Sequence, residues 1–549
     1  MDGQRSGGLK VWLPLLFALV MVLGMTLGFN LRDTLRNKRD IQAVIERNDR
    51  LEEIIDLINE KYVDSVNSNL LYKDAITGIL SHLDPHTVYI AADELQGVNE
   101  DLEGSFFGIG VEFAIVRDTI EVTSVVEDGP AERAGIHEGD KLIKVGDKVV
   151  AGTKITSEKI IKMLRGKQHT RVNLTIKDAL SSNLKQLPIE RDVVPLYSID
   201  ASMMLDNETG FIKINRFSAT TYDEFMKALK SLKAAGMRQL ILDLRENPGG
   251  YLDAATHIAD QFLDDEKLIV YTQGRKSART DYKASDPGIF EHGRLAVLID
   301  ENSASASEIL SGAIQDWDRG VLIGRRSFGK GLVQEQYDLE DGSALRLTIA
   351  KYYTPSGRSI QRSFAKGKEA YEEDFENRYK SGELTGKDTA SKDDDHKIYY
   401  TSQKRIVYGG GGIKPDVYVP YDTARLSGSI LSIIFSDELK VALWDYYLSH
   451  VTQLRQYKTI SDFDQHFINE EAIVKGYLQT VQPSERAAAE KAMNKPANRA
   501  YFKLQAKAQL ARILFRNNGY YSITMKDDNV IQKALEILRG NKYSDIIKR

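Results

Sequence analysis

Two segments of the chain place glycines or serines directly after an apolar run, where a helical pattern begins. They are LILDLRENPGG at residues 240–250 and LAVLIDENSASASEIL at residues 295–310. Each apolar run predicts a buried strand, and each then passes through a turn into a helix. A serine at a helix start lies beside free backbone amides and the positive end of the helix dipole, which suits a nucleophile that attacks a carbonyl group. The serines of this type are Ser303, Ser305 and Ser307.

A third segment, RSFGKGLVQEQ at residues 326–336, supplies a basic residue, Lys330. A lysine can accept a proton only when its amine is neutral, and burial among apolar groups lowers its pKa by disfavouring the ammonium form. A serine and a buried lysine can therefore catalyse acyl transfer without histidine. None of the nine histidines forms an HExxH pair, the sequence contains no GxSxG segment, and we interpret His86 as structural.

Simpler interpretations of the same residues stay open at this point. Ser305 and Glu308 form Ser-x-x-Glu, a capping box that needs no catalytic role, and NPGG on its own is a turn. The strings SFGK (327–330) and SFAK (363–366) match the Ser-x-x-Lys signature of penicillin-recognising enzymes. However, the glycines around SFGK disfavour the helix that this signature requires, and the sequence lacks the companion Ser-Asp-Asn and Lys-Thr-Gly strings.

Residues 104–194 show short β runs around a few turns, with a helix near residues 157–164. The glycines that open GIGVEF, residues 108–113, free backbone amides that can form a nest for a terminal carboxylate while a peptide adds as a strand. Together with GPAERAGIHEGDKLIKVGD at residues 129–147, this segment resembles a PDZ domain of the bacterial protease type. The expected carboxylate-binding residues are Gly108, Ile109, Gly110 and Val111, and the expected pocket for the last side chain consists of Ile160, Ile161 and Leu164.

Three further motifs extend this resemblance, namely LDPHTVYI at residues 83–90, YYTPSGRSIQ at residues 352–361 and YGGGGIKPDV at residues 408–417. With the segments above they resemble the carboxyl-terminal processing peptidases, also called tail-specific proteases, over residues 83–420. The resemblance implies a serine endopeptidase that carries a PDZ domain and needs no metal or other cofactor. The chain departs from the family pattern at Glu246, where many relatives have a small residue, and in a charged insert at residues 364–397, which we expect to be solvated and partly mobile.

The resemblance assigns the nucleophile to Ser305, the general base to Lys330 and the third member of the catalytic apparatus to Gln334. If residues 330–334 are extended, the two-residue period of a strand puts positions 330 and 334 on one face, where Gln334 can hold the lysine amine. An oxyanion hole is expected from the amide of Ala306 together with one from Gly249 or Gly250.

The elements that must position these residues predict a mixed α/β protease core with a β-rich PDZ-like domain before it and an α-helical region after it. Residues 11–29 carry no charge and approach the length of a membrane helix, so we expect an inner-membrane anchor with the catalytic part outside the cytoplasm. The expected divisions are 1–30 for the anchor, 31–103 for helices suited to packing or self-association, 104–194 for the PDZ-like domain, 195–420 for the peptidase core and 421–549 for the helical C-terminal region.

Composition narrows the expected partners. The chain has 549 residues, a formal net charge of −5 and no cysteine. An acidic protein lacks the basic surface that phosphates require, so nucleic acid is not an expected partner, and the lack of cysteine excludes a thiol nucleophile. The expected partners are proteins or peptides with apolar C-termini, the membrane and, in a homo-oligomer, further copies of the chain. The alternative function is a PDZ scaffold or chaperone without catalytic activity on the same fold.

Overall fold

The computed structural model describes residues 50–127, 129–179, 181–285, 287–387, 397–422 and 428–548. The chain divides into two units, residues 1–83 and residues 84–549. The described part of the first unit contains helices α1 (Arg50–Lys61) and α2 (Ser68–Leu80). The predicted membrane helix at residues 11–29 lies outside the described residues, and no helix within them is long and apolar enough to cross a membrane.

The second unit opens with strand β1 (Val88–Ile90) and helix α3 (Ala92–Glu103) and continues into the PDZ-like domain. That domain contains β2 (Ser105–Gly108), β3 (Val111–Val116), β4 (Thr119–Val125), α4 (Pro130–Arg133), β5 (Lys141–Val145), β6 (Lys148–Val149), α5 (Ser157–Leu164), β7 (Arg171–Lys177), β8 (Leu184–Glu190) and β9 (Asp192–Pro195). One sheet runs in the order β3, β4, β5, β7, β8, so β3 lies at its edge. The helix predicted near residues 157–164 is present as α5.

The peptidase core follows. Its elements are β10 (Ile199–Met204), β11 (Thr209–Ile214), α6 (Thr221–Ala234), β12 (Gln239–Asp243), α7 (Leu252–Asp260), β13 (Leu268–Gln273), β14 (Thr280–Lys283), β15 (Arg294–Ile299), α8 (Ala306–Asp316), β16 (Val321–Gly324), β17 (Leu332–Asp338), β18 (Ala344–Tyr353), α9 (Lys368–Glu372), α10 (Asp374–Ser381), β19 (Ile398–Tyr400), β20 (Ile406–Tyr408) and β21 (Val417–Tyr418).

Two sheets organise this core. The larger runs in the order β10, β11, β12, β15, β16, β21, and its neighbours are parallel from β11 onward. β11 and β12 are buried along their whole length, which is typical of parallel strands covered on both faces. The second sheet runs in the order β1, β18, β13, β14, with β17 paired to β18. The mixed α/β core predicted from the sequence is therefore confirmed.

The charged insert is more ordered than its composition suggests. Residues 364–387 include α9 and α10, and Tyr371, Arg378 and Leu384 within them are buried. Most of its charged side chains are exposed, as predicted, but Asp374, Arg378 and Glu383 are buried or nearly so in ion pairs with each other and with Arg326 and Arg362 of the core. Residues 388–396 lie outside the described residues.

Helices make up the described remainder of the chain, as predicted from residue 421 onward. They are α11 (Gly428–Ile434), α12 (Asp437–Leu454), α13 (Ile460–His466), α14 (Glu470–Thr480), α15 (Pro483–Met493), α16 (Pro496–Thr524), a 3₁₀ turn (Met525–Asp527), α17 (Asn529–Arg539) and α18 (Lys542–Ile547). On one face of the larger sheet, Ile531 and Leu538 of α17 pack with Phe211 and Leu298. The last helices of the C-terminal region thus complete one face of the peptidase core, whereas the helices before them form a hydrophobic cluster of their own.

The same region also holds the PDZ-like domain. Trp444 of α12 donates its indole N–H to the buried carboxylate of Glu121, and Asp445 pairs with Arg117 at 2.5 Å. Val116, at the end of β3, is buried in the core of the C-terminal helices. These contacts join the turn between β3 and β4, and strand β4 itself, to α12.

Helix α16 is kinked at residues 515–516, where Arg516 has φ 58°. Before the kink, Arg512 lies 3.8 Å from Glu112 of the PDZ-like domain. After the kink, Asn518 accepts a hydrogen bond of 3.0 Å from the Ser202 amide in β10. One long helix therefore contacts the PDZ-like domain with its first part and the peptidase core with its last.

Candidate active site

The two predicted strand–turn–helix segments are neighbours in the larger sheet. β12 and β15 pair in parallel, so the turns that follow them leave the sheet at the same edge. The Leu244 amide donates to the Leu298 carbonyl at 2.9 Å, and the Ala304 amide donates to the Asn247 carbonyl at 3.0 Å. These bonds place the NPGG turn beside the serine-rich turn.

Ser305 occupies the last position before α8, with φ 53° and ψ −111°. A residue with a side chain pays roughly 1–3 kcal/mol for such a conformation, which is typical of a sharp turn that presents a nucleophile at a helix start. Ser303 and Ser307 are fully buried, and their hydroxyls donate to the carbonyls of Leu244 at 2.8 Å and Asn247 at 3.0 Å. Ser305 is half-buried, so it is the most accessible of the three serines that the sequence left as alternatives.

Gly249 lies directly against Ser305. A Cβ atom at Gly249, whose φ is 99°, would stand 2.8 Å from the Ser305 Cβ and 2.9 Å from the Ala306 nitrogen, so this position requires glycine. The Gly249 amide donates to Asn247 Oδ1 at 2.9 Å. Within the described part of the chain, the amides of Gly250 and Ala306 have no acceptor. Of the two glycines expected at an oxyanion hole, Gly250 is therefore the one with an available N–H.

Lys330 lies in the loop before β17 and is half-buried. Its Nζ donates to Gln334 Oε1 at 2.8 Å, and the Gln334 side-chain N–H donates in turn to the His86 carbonyl. Burial lowers the pKa of Lys330, and the nearby charge of Arg346 lowers it further. The structure thus brings Lys330 and Gln334 together as expected, although the strand register shifts between Val333 and Gln334.

Glu308 connects the serine turn to the lysine loop. Its Oε2 accepts from the amides of Ser305 at 2.9 Å and Lys330 at 2.8 Å. Its Oε1 accepts from the Ser327 hydroxyl at 2.5 Å and the Gly329 amide at 2.7 Å. The carboxyl is fully buried, and burial raises its pKa to about 7 against the opposing effect of these hydrogen bonds. One side chain therefore fixes the backbone on both sides of the site.

The sequence predicts only a capping contact for Glu308, and that contact, from the Ser305 amide, is present. The available signal for the wider role is an acid in the first turn of ASEILSGAIQD, a helix whose residues are all buried. Tyr352 was also missed: its hydroxyl reaches the carbonyl oxygens of Ser305, at 3.1 Å, and of Lys330. Ser327 is buried in an irregular loop, which lacks the helix of the penicillin-recognising signature.

The turn at residues 84–87 supports Gln334. Asp84 accepts hydrogen bonds from the His86 amide at 3.0 Å and from the Thr87 amide and hydroxyl at 3.1 and 2.6 Å. Burial and the Lys330 charge lower the pKa of His86 to about 4, so its imidazole is neutral near pH 7. Over the described ranges, no three His, Cys, Asp or Glu side chains cluster as a metal site.

The predicted peptide-binding residues lie together in the PDZ-like domain. The amides of Ile109 and Gly110 donate to no acceptor among the residues that the structure describes, and Gly110 has φ 78°. Ile160 and Leu164 are buried in the same apolar cluster as Ile109, whereas Ile161 is 40% exposed. Ile160 and Leu164 can therefore form only the floor of a side-chain pocket. Gly108 ends β2, and Val111 begins the edge strand β3.

Three known families match the sequence. Peptidase family S41 matches residues 208–368, the PDZ domain matches residues 121–178, and the activating protease CtpB N-terminal domain matches residues 24–94. The S41 match includes the NPGG turn, the serine-rich turn and the lysine loop. The PDZ match falls within the β-rich domain of the second unit.

Curated relatives give the same result. The carboxy-terminal-processing protease of Bartonella bacilliformis is 35% identical over 319 residues, which are 57% of this chain and 72% of the relative. A probable CtpA-like serine protease of Staphylococcus epidermidis is 35% identical over 314 residues, or 57% of this chain and 62% of the relative. The solved photosystem II D1 C-terminal processing protease is 27% identical, with a TM-score of 0.34 over 57% of this chain and 89% of that one. The chain belongs to peptidase family S41, the carboxy-terminal-processing serine proteases.

Proposed function

We propose that this chain is an endopeptidase that uses Ser305 as nucleophile, Lys330 as general base and Gln334 as the group that holds the base. The observation that carries the proposal is the Lys330 amine, held 2.8 Å from Gln334 in surroundings that lower its pKa. Glu308 supports it further, because one carboxylate binds the backbone amides of both Ser305 and Lys330.

In the proposed reaction, neutral Lys330 takes the hydroxyl proton as Ser305 Oγ attacks a peptide carbonyl carbon. The negative charge that develops on the carbonyl oxygen is stabilised by the amides of Ala306 and Gly250. The C–N bond then breaks, and the Lys330 ammonium gives its proton to the leaving amine. Water attacks the resulting ester with Lys330 again as base, which releases the carboxylic acid and restores Ser305.

The proposed substrates are unfolded proteins with a free, apolar C-terminus. Support comes from the edge strand β3, which offers a hydrogen-bonding edge to an added strand, and from the amides of Ile109 and Gly110 before it, which suit a carboxylate. We also propose that residues 11–29 anchor the chain in the inner membrane with the catalytic part outside the cytoplasm. Protease added to spheroplasts should then degrade the bulk of the chain, and full protection would reverse this topology.

Cleavage of an unfolded protein with an apolar C-terminus tests the catalytic roles. Ser305→Ala and Lys330→Ala should each lower kcat by roughly a thousandfold or more while the circular dichroism spectrum is retained. Ser363→Ala is the matched control, because Ser363 begins the second Ser-x-x-Lys string and is exposed. Cutting by Ser305→Ala at the wild-type rate would exclude this nucleophile. A wild-type protein that binds such chains without cutting them would favour the scaffold function.

Substrate selection needs a separate comparison. The same unfolded protein is offered with its C-terminus free, amidated or extended by two aspartates. The free apolar terminus should give the lowest KM, because the amide lacks the carboxylate and the aspartates cannot occupy an apolar pocket. Equal rates on all three would exclude tail recognition while leaving the catalytic assignment intact.

A further inference from the structure

Tyr371 of α9 lies in the charged insert, yet it contacts the elements on both sides of Lys330. We propose that Tyr371 is a positioning residue for the general base, and that the insert supplies it. This inference rests on the proposed function of Lys330. Among the described residues, Tyr371 has no hydrogen bond to Ser305 or Lys330, so its effect must pass through the residues that it does contact.

The first route passes through the turn at residues 84–87. The Tyr371 hydroxyl lies 2.9 Å from His86 Nε2 and accepts a long hydrogen bond of 3.4 Å from the Gln361 side-chain N–H. In either tautomer of His86, one of the two groups donates to the other, so this hydrogen bond joins Tyr371 to the turn at residues 84–87. The His86 carbonyl then accepts from Gln334, whose other side-chain atom binds Lys330.

The second route reaches the loop around Lys330. The Gln361 side-chain oxygen accepts from the Gly331 amide at 2.8 Å, so the residue that binds the Tyr371 hydroxyl also binds the neighbour of Lys330. The Tyr371 ring meets Phe328 edge-on, with centroids 5.9 Å apart, and meets His86 in the same way at 5.4 Å. Tyr371 therefore supports the loop on both sides of the base.

Tyr371 is itself held firmly. The Arg362 guanidinium lies between the rings of Tyr371, at 3.9 Å, and Phe328, at 4.5 Å, and pairs with Asp374. All of these groups are buried or nearly so, and buried ions are retained only where good geometry offsets the cost of removing them from water.

A further buried pair fixes the insert on the other side of the loop. Arg378 of α10 donates to the Arg326 carbonyl at 2.7 Å, and Arg326 pairs with Glu383 at 2.8 Å. The insert therefore contacts the lysine loop at its start, where Arg378 binds Arg326, and at its end, where Tyr371 binds Gln361 beside Gly331. Loss of one hydroxyl should leave this framework folded.

Tyr371→Phe removes the hydroxyl and keeps the ring. We expect kcat to fall roughly three- to tenfold, the effect of one hydrogen bond, with KM within about twofold of wild type. Tyr379→Phe is the matched control, because Tyr379 lies on α10 of the same insert and is 52% exposed. His86→Phe removes the other partner of this hydrogen bond and should give the same loss. It also keeps the inference testable if Tyr371→Phe lowers the melting temperature.

The decisive measurement is a double-mutant cycle with Gln334→Ala. If Tyr371 acts through Gln334, Tyr371→Phe should have little further effect on kcat once Gln334 is gone, whereas a general structural role would give additive losses. Additive losses both in this cycle and in the same cycle with Gln361→Ala, or wild-type kcat for Tyr371→Phe, would overturn the inference. Lys330→Ala in the same assay distinguishes a failure of this inference from a failure of the proposed function. Full activity without the lysine would refute the proposed function itself.

Discussion

Replacement of Glu308 by glutamine tests how the two halves of the site are joined. The substitution keeps the shape of the side chain but turns one acceptor oxygen into an NH₂ donor. Each carboxylate oxygen accepts two hydrogen bonds, so the NH₂ must face either the amides of Ser305 and Lys330 or the Gly329 amide and Ser327 hydroxyl. The second orientation is favoured, because a hydroxyl can turn to accept and an amide cannot.

The magnitude follows from the pKa of Glu308, which burial raises from 4.5 to about 7. At about 1.4 kcal/mol for each tenfold change in the ionisation equilibrium, this corresponds to about 3 kcal/mol. Between pH 4.5 and about pH 7, the folded protein binds more protons at Glu308 than the unfolded chain does. Rising pH therefore lowers the free energy of unfolding through this window, and the loss is complete above about pH 7.

Glutamine cannot ionise, so Glu308→Gln should remove this pH dependence. Near pH 4 the variant should be less stable than wild type by about 1–2 kcal/mol, because the Gly329 amide loses its acceptor. Near pH 8 the order should reverse, since the variant escapes the cost of a buried charge. Activity should still fall, because the Ser305 and Lys330 amides lose an ionised acceptor.

Urea unfolding of both proteins at several pH values between 4 and 8 measures these differences. Glu308→Asp is a useful companion, because it keeps the charge but is too short to reach all four donors. Parallel stability curves for wild type and Glu308→Gln would refute the reasoning, since they would mean that Glu308 does not titrate in this range. Unchanged kcat in Glu308→Gln would refute its role in joining the serine turn to the lysine loop.

Three further substitutions test other contacts. Gly249→Ala should lower kcat by roughly a hundredfold, because its Cβ would displace Ser305, and steady-state kinetics should show KM preserved. Arg346→Met should raise the pKa of Lys330 by removing a nearby positive charge, so the acid limb of the kcat profile should move to higher pH; an unmoved limb would mean that Lys330 does not control it. Tyr352→Phe should cost about 1 kcal/mol of stability in urea unfolding, and no change would show that its hydroxyl bonds are energetically neutral.

Local sequence patterns predicted the elements that carry the site. Residues 240–250 and 295–310 each join an apolar run to a turn and a helix. The strand, the turn and the helix start are each set by residues close together in sequence, so the sequence alone can predict them. Their adjacency is a finding of the structure, in which β12 pairs in parallel with β15 and both turns leave the sheet at one edge. The residues alone left Ser303, Ser305 and Ser307 as alternatives, and the family resemblance assigned Ser305. The structure adds that Ser303 and Ser307 are buried, with their hydroxyls bonded to carbonyl oxygens.

The contacts that the sequence did not reveal connect distant positions. Glu308 binds residues about twenty positions further along the chain, and composition alone gives no sign of that pairing. Composition predicted the exposure of most charged residues in the insert but was misleading for Arg378. Arg378 is instead buried, because Glu383 and Asp374 neutralise it within the fold.

The kinked helix α16 limits how the PDZ-like domain can move relative to the peptidase core. Its two parts are attached to different bodies, one to the PDZ-like domain near Glu112 and the other to β10 through Asn518. As long as the Arg512–Glu112 pair is kept, a rigid shift of that domain must either bend the chain at residues 515–516 or pull Val116 out of the helical core into water. Bending changes a few dihedral angles where the helix is already interrupted, whereas the second course exposes apolar surface. The kink is thus the point of least resistance to any such shift.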